Sequence, residues 1–280
     1  MKKAAVIGFP IKHSWSPDIH NFWLKSSKIN GEYKKIKVQP EELQNFILKA
    51  KNSGYSGLNV TVPFKEKVAQ ICDELSGIAI KLGAVNLITF RGGKIFGDNT
   101  DGEGFIASVL NKLPNLSFEN NNFAILGAGG AAKSIAYALS ERKAKKIIII
   151  NRDLEKAKKL SEKIGETAEA YSLIDIKKGL KKTTFLINAT SMGMAGGPPS
   201  IKMGLSGFPS ILCFADIVYN PGITGFMQEA SLSGIKVIGG IGMLINQAAP
   251  SFEAFYGQPP KNPEGPYALL EKKIMDVGND

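Results

Sequence analysis

The 280-residue chain carries 35 Lys and Arg against 25 Asp and Glu, a formal net charge of +10, with a pI near 9.4. Hydrophobic residues make up 44%, enough for about two domain cores, and 14 Pro without any long biased tract exclude a disordered or collagen-like chain. The longest aliphatic run, Ile147–Ile150, is far short of the ~20 residues a bilayer needs. The opening MKKAAVIGFP has too short an apolar stretch for a signal-peptide core. Two Cys, Cys72 and Cys213, make no disulfide framework, and two His, His13 and His20, make no metal site. The expectation is a cytoplasmic globular protein without membrane or metal.

Basicity of this size raises nucleic acid as a partner, so the position of the charge matters. Residues 1–140 and residues 141–182 each carry net +6, while residues 183–280 carry −2. The densest stretch, DLEKAKKLSEKIG, alternates Lys and Glu at helical spacing, as a solvated helix face does. No RNA-binding aromatic signature or zinc spacing accompanies it, which leaves a polyanion binder or an enzyme for small anions.

In chain order, strand-like runs fall near Ala4–Gly8, Tyr33–Val38, Gly57–Thr61, Val85–Phe90, Asn122–Leu126, Lys146–Ile150, Thr184–Ile187, Ile211–Ala215 and Lys236–Ile238. Amphipathic stretches lie between them at Pro40–Asn52, Phe64–Leu75, Gly104–Leu113, Ala131–Glu141 and Leu154–Ile164. Strand–helix alternation of this kind predicts βαβ units and largely parallel sheets. GDNTDG followed by the polar PNLSFENNN marks a seam between two units near residues 100–120.

The first unit offers polar residues at strand ends. After the first strand comes His13-Ser14-Trp15-Ser16-Pro17, where Ser16 before Pro17 reads as a helix N-cap. That role does not explain Ser14; two hydroxyls at a helix start also suit a carboxylate or phosphate. His13 is either a base or a loop residue. In Asn59-Val60-Thr61-Val62-Pro63-Phe64-Lys65, Asn59 and Thr61 share one face of a strand and Lys65 opens a helix. A cation there has the wrong sign for the helix dipole, so Lys65 is either a surface charge or a residue tuned for proton transfer. Asn86 follows Gly83-Ala84-Val85, and Asp101 sits in GDNTDG, itself a plausible turn and cap. Near the C-terminus, Gln247 is the long amide of an otherwise apolar helix.

In the second unit, strand Asn122–Leu126 runs into Gly127-Ala128-Gly129-Gly130-Ala131-Ala132, a G-x-G-x-x-A turn before a helix. Gly127 would make the tight turn, Gly129 the close approach to a pyrophosphate, and Ala132 the helix–strand contact. The next strand ends in Asn151-Arg152, with Lys156 a turn later. An NAD site usually places a carboxylate there, whereas a guanidinium suits the 2′-phosphate of NADP. Asp153 reads as a helix N-cap, yet sets a carboxylate near that phosphate. The strand ending Asn188-Ala189-Thr190-Ser191-Met192-Gly193 would bring Thr190 and Met192 to the same sheet edge.

Taken together and in order, HSWSP, NVTVPFK, GAVN, GDNTDG, GAGGAA, NR, NATSMG and GGIGMLINQAA resemble the shikimate dehydrogenase family over nearly the whole chain. The resemblance implies an α/β chain of two domains, an N-terminal α/β substrate domain with a mixed sheet and a Rossmann-type doubly wound NADP-binding domain. Their expected extents are 1–101 and 102–238, with C-terminal helices 239–280 returning to the substrate domain. It implies NADPH-linked reduction of 3-dehydroshikimate to shikimate in aromatic amino-acid (chorismate) biosynthesis. By position, Ser14 and Ser16 would hold the substrate carboxylate with help from Tyr219 of DIVYNP, and Asn59, Thr61, Asn86 and Gln247 the ring hydroxyls. Lys65 and Asp101 would be the catalytic pair, both touching substrate. Gly127, Ala128, Gly129, Gly130, Ala131, Asn151, Arg152 and Lys156 would take the cofactor phosphates, with Thr190, Met192 and Gly240 completing the NADP set. Expected partners are the small-molecule substrate alone, with no nucleic acid and no membrane, in a monomer or homodimer. Departures are Phe9, Trp15 between the two serines, and Asp153 after the Asn-Arg pair. Alternatives are a quinate/shikimate dehydrogenase with relaxed NAD/NADP use and a non-catalytic NADP sensor.

Overall fold

A computed structural model describes residues 1–277. The chain divides into two compact units, one of Met1–Asp101 with Ile245–Leu270, the other of Gly102–Leu244 with the residues from Glu271 on.

In the first unit the chain runs β1 (Lys2–Gly8), α1 (Ser16–Ser26), β2 (Gly31–Lys37), α2 (Leu43–Asn52), β3 (Tyr55–Val60), α3 (Lys65–Ile71), β4 (Glu74–Leu75), α4 (Gly77–Leu82), β5 (Leu87–Arg91) and β6 (Lys94–Asp98). The sheet order is β2-β1-β3-β5-β6-β4. β1 is parallel to β2 and β3, but β5 is antiparallel to both β3 and β6. The sheet is therefore mixed, as the family resemblance implies, and Gly92 and Gly93, both at positive φ, close the tight β5–β6 hairpin. Alternate residues Ala5, Ile7, Leu58, Val60, Ile88 and Ile95 form a core with Leu43, Ile47 and Val68 of the helices.

His20 is completely buried, stacked flat on Tyr33 at 3.9 Å between ring centres and near Trp23, Phe252 and Phe255. Neither ring nitrogen has a hydrogen-bond partner, and burial pulls its pKa down to about 3.

The second unit contains β7 (Asn122–Leu126), α6 (Gly130–Glu141), β8 (Lys146–Asn151), α7 (Leu154–Ile164), β9 (Ala168–Ser172), α8 (Ile176–Leu180), β10 (Phe185–Asn188), β11 (Cys213–Asp216), α9 (Gly225–Leu232) and β12 (Lys236–Ile238). The chain passes between units within α5 (Asp101–Lys112), α10 (Ile241–Tyr256) and α11 (Gly265–Val277). Six parallel strands are ordered β12-β11-β10-β7-β8-β9, the doubly wound order with its reversal at β7/β10. Residue parity splits the strands cleanly. Phe123, Ile125, Ile147, Ile149, Phe185 and Ile187 pack on α5, α6 and α7, whereas Ala124, Leu126, Ile148, Ile150, Leu186 and Phe214 pack on α8 and α9. Both cysteines are free, and burial pushes each thiol up to about 12. No described helix is long and apolar enough to cross a membrane.

Candidate active site

The first-unit residues singled out in the sequence gather at one edge of the sheet. β1, β3 and β6 end there, and antiparallel β5 begins there, so the segments carrying Ser14 and Ser16, Thr61 and Lys65, Asp101, and Asn86 meet. Backbone bonds lock this edge: Val60 N donates to Asn86 O at 2.8 Å, Asn86 N to Asp98 O at 3.0 Å, and Val85 N to Lys65 O at 2.9 Å. Gly8 permits the closest approach, since a Cβ there would lie 2.6 Å from Thr61 Cγ2.

Lys65 is the first residue of α3, and its Nζ donates to Asp101 Oδ2 at 2.5 Å. The side chains are 15% and 6% exposed, so the pair is largely withdrawn from water. Asn86, buried, joins the pair to the rest of the edge: its Nδ2 donates to Asp101 Oδ1 at 2.8 Å and to Thr100 Oγ1 at 2.9 Å, and its Oδ1 accepts from Thr100 N. Gln247 Oε1 lies 3.5 Å from the same Asn86 amide, and its main-chain oxygen accepts from Thr100 Oγ1 at 2.9 Å. Asn99 Oδ1 caps the Asp101 N–H. Each carboxylate oxygen of Asp101 thus accepts one donor, which fixes its plane and aims the ammonium.

One expectation needs correction. Ser16 is not the N-cap of α1: it is already helical, Trp15 holds the cap position without a side-chain capping bond, and Ser14 Oγ accepts the Ser16 N–H at 3.4 Å. Ser14 Oγ also donates to Ser16 Oγ at 3.3 Å, so the two hydroxyls do converge. Asn59 is already engaged within the protein. Its Oδ1 accepts from the Tyr33 hydroxyl at 2.7 Å and its amide donates to Ser251 Oγ and Asn86 O, at 6% exposure, so both N–H donors and one lone pair of Oδ1 are engaged internally. Sequence spacing placed Asn59 and Thr61 on one face but carried no information on the distant Tyr33 and Ser251. Thr100 was missed as well, although it lies inside GDNTDG; only its bonds to Asn86 and Gln247 distinguish it from an ordinary turn residue. His13 is exposed on its loop.

In the second unit, all the singled-out segments follow parallel strands and share the carboxyl edge. Gly127 has φ +112°, and a Cβ there would lie 3.0 Å from Ala189 O and 3.1 Å from Thr190 Cγ2, so only glycine lets the β7 turn pass the β10 loop. Gly129 is the cap residue of the 12-residue α6, with no side-chain cap, and a Cβ on it would meet no protein atom within 4 Å. The first N–H groups of α6 and the space beside Gly129 fit a pyrophosphate. Ala132 is fully buried in the core beneath the turn. Gly240 is buried too, and a Cβ there would lie 2.4 Å from Ile217 O.

Arg152 and Lys156 are exposed, and neither side chain makes a hydrogen bond or ion pair among the described residues. The carboxylate of Asp153 accepts from Glu155 N at 3.1 Å and Lys156 N at 3.3 Å, while Asn151 Nδ2 donates to Asp153 O. Asp153 therefore spends its charge on the start of α7, and the Arg152 guanidinium stays free for a phosphate. This donor set fits NADP. Thr190 bonds back to Asn188, with Oγ1 donating at 2.6 Å and N at 3.1 Å, and Met192 N donates to Thr190 Oγ1. Tyr219 is half-buried on the segment after β11.

Residues 6–88 match the family model of the shikimate dehydrogenase substrate binding domain, and residues 109–195 match that of shikimate / quinate 5-dehydrogenase. A shikimate dehydrogenase (NADP(+)) of Paracoccus denitrificans is 38% identical over 259 residues, covering 92% of each chain. The crystal structure of a shikimate dehydrogenase in complex with NADP+ superposes with TM-score 0.89 at 34% identity, over 98% of this chain and 96% of the other. That of the Thermus thermophilus shikimate 5-dehydrogenase with NADP(H) and shikimate gives TM-score 0.84 at 31% identity, over 97% and 99%.

Proposed function

Because the chain belongs to the shikimate dehydrogenase family, we propose that it catalyses the reversible NADPH-dependent reduction of 3-dehydroshikimate to shikimate. The observation that carries this reading is the Lys65–Asp101 pair, held by Asn86 at the sheet edge. Bound NADPH supplies the hydride to the ketone carbon. The protein must then stabilise charge on the ketone oxygen and deliver a proton to it. The Lys65 ammonium does both, since it offers a positive field and a donatable proton at one nitrogen. Asp101 orients that nitrogen and, in the reverse direction, stabilises the ammonium after Lys65 removes the hydroxyl proton.

Ser14 and Ser16 hold the substrate carboxylate with Tyr219, and Thr61, Asn86 and Gln247 bind ring hydroxyls. Asn59 joins this set and also holds the Asn86 carbonyl. Residues 1–101 form the substrate domain and 102–238 the NADP domain. Gly127 through Ala131, Asn151, Arg152 and Lys156 take the cofactor phosphates, Thr190 and Met192 line the nicotinamide, and Gly240 shapes the neighbouring backbone. The protein works in the cytoplasm as a monomer or homodimer, within aromatic amino-acid biosynthesis.

Turnover measured with shikimate or quinate against NADP+ or NAD+ tests the reading. The expected result is fast reduction of NADP+ by shikimate, with NAD+ and quinate far slower. Absence of turnover in all four combinations contradicts the enzyme reading, and comparable rates with both cofactors contradict the NADP preference.

A further inference from the structure

Asp216 ends β11 directly beside Asn188, which ends β10, and the two are register partners in the parallel ladder. The Asp216 side chain is 2% exposed and faces only neutral donors. Its Oδ1 accepts from Asn188 Nδ2 at 2.9 Å and Val218 N at 2.9 Å, and its Oδ2 accepts from Thr224 Oγ1 at 2.7 Å. Burial raises its pKa to about 6, against the pull of these three bonds. Retaining a carboxyl group at such a position is costly unless the bonds it makes are needed.

Those bonds join two loops. On one side Asn188 spends its remaining capacity on the next residues: Oδ1 accepts from Thr190 N and Oγ1, and Nδ2 donates to Met192 O at 3.2 Å. On the other side Val218 and Thr224 bracket the segment that carries Tyr219, and Thr224 Oγ1 also accepts from Met227 N to cap α9. A further bond, Ala195 N to Asn220 O at 2.8 Å, ties the same two segments.

We propose that Asp216 is a positioning residue that locks the loop of Thr190 and Met192 to the segment of Tyr219 through Asn188, Val218 and Thr224. This rests on the functional reading above, which assigns Thr190 and Met192 to the cofactor and Tyr219 to the substrate. One carboxylate then sets the binding geometry for both ligands, although it touches neither. Asp216→Asn replaces an acceptor oxygen by a donor, so one of the three donors loses its acceptor and Thr224 keeps a contact only by reversing its hydroxyl. Thr224→Val removes that donor and the acceptor for Met227 N with little change of shape, and Thr224→Ser keeps both.

The test is steady-state kinetics of the full-length enzyme with shikimate and NADP+. KM is independent of the concentration of active enzyme, so a merely structural defect lowers the maximal rate and melting temperature and leaves KM unmoved. The expected result is a rise in the KM of both ligands, about tenfold for Asp216→Asn and about threefold for Thr224→Val, with Thr224→Ser near wild type. Wild-type KM values in the soluble variants, or movement of one KM alone, overturn the proposal. Should Asp216→Asn not fold, the two Thr224 variants decide it. A wild-type enzyme without turnover contradicts the functional reading instead.

Discussion

Lys65 and Asp101 of the first unit are bonded to one another and, through Asn86, to Thr100 and Gln247. Arg152 and Lys156 of the second unit stand in water with no side-chain partner among the described residues, beside a turn whose contribution is backbone shape. Both units offer cations to anionic or polar ligands, but at different stages. A buried pair is preorganised before any ligand arrives, so its removal is felt in the transition state. An exposed, unpaired cation gains its partner only on binding, so its removal is felt in affinity and in the choice between cofactors.

The largest expected effect lies on the paired side. Lys65→Met should lower kcat with shikimate about 10³-fold, while shikimate binding by calorimetry changes little. A variant keeping most of its turnover would move the proton donor elsewhere and erase the contrast between the units. Next comes the pH response of stability, where two buried groups act in opposite senses. His20 is held neutral, its pKa near 3 in the fold against 6.5 unfolded. The unfolded chain then takes up the proton first, so stability present above pH 6.5 is lost as pH falls toward 3, by ~5 kcal/mol. Asp216 has the reverse sign. Its pKa near 6, against 3.8 unfolded, favours the folded state as pH falls from 6 toward 3.8, by ~3 kcal/mol. Thermal unfolding of His20→Phe should show less acid destabilisation than wild type; an unchanged pH dependence would remove His20 from the account.

On the unpaired side, Arg152→Ala should raise the KM for NADP+ roughly 10- to 100-fold and leave that for NAD+ nearly unmoved, the scale of a hydrogen bond to a charged group. An unchanged ratio would show that the free guanidinium does not read the 2′-phosphate. The smallest effect belongs to Asp153→Ala. Loss of the cap on α7 should cost ~1 kcal/mol, seen as a lower melting temperature, with the NADP+/NAD+ preference kept. A large gain in that preference would mean that the Asp153 charge reaches the cofactor after all.

Much of this was legible in the sequence because the signals are local. The alternation of apolar runs and amphipathic stretches located nine strands, and the glycine turn after Asn122–Leu126 marked the loop proposed to take the cofactor phosphates. The short β4, the hairpin strand β6 and the half-exposed edge strand β9 escaped, since none carries a strong apolar run. Within the candidate site, Lys65, Asp101 and Asn86 were found from motif order. Thr100, Asn188 and Asp216 went unassigned, because a polar residue at a strand end looks the same in sequence whether it meets a ligand or a distant side chain.

The sequence by itself determined the two-unit α/β plan, the dinucleotide turn, the Asn-Arg pair that favours NADP, and the family. Periodicity and short-range motifs suffice for these, since they depend on neighbours a few residues apart. Only the tertiary structure decided which polar groups are already satisfied. It closed Asn59 between Tyr33, Ser251 and Asn86, joined Lys65 to Asp101, turned Asp153 onto its own helix, and set Asp216 against Asn188. Hydrogen-bond satisfaction is a property of three-dimensional neighbours, and the pairs that matter here are separated by 26 to 192 residues along the chain, apart from the local cap at Asp153.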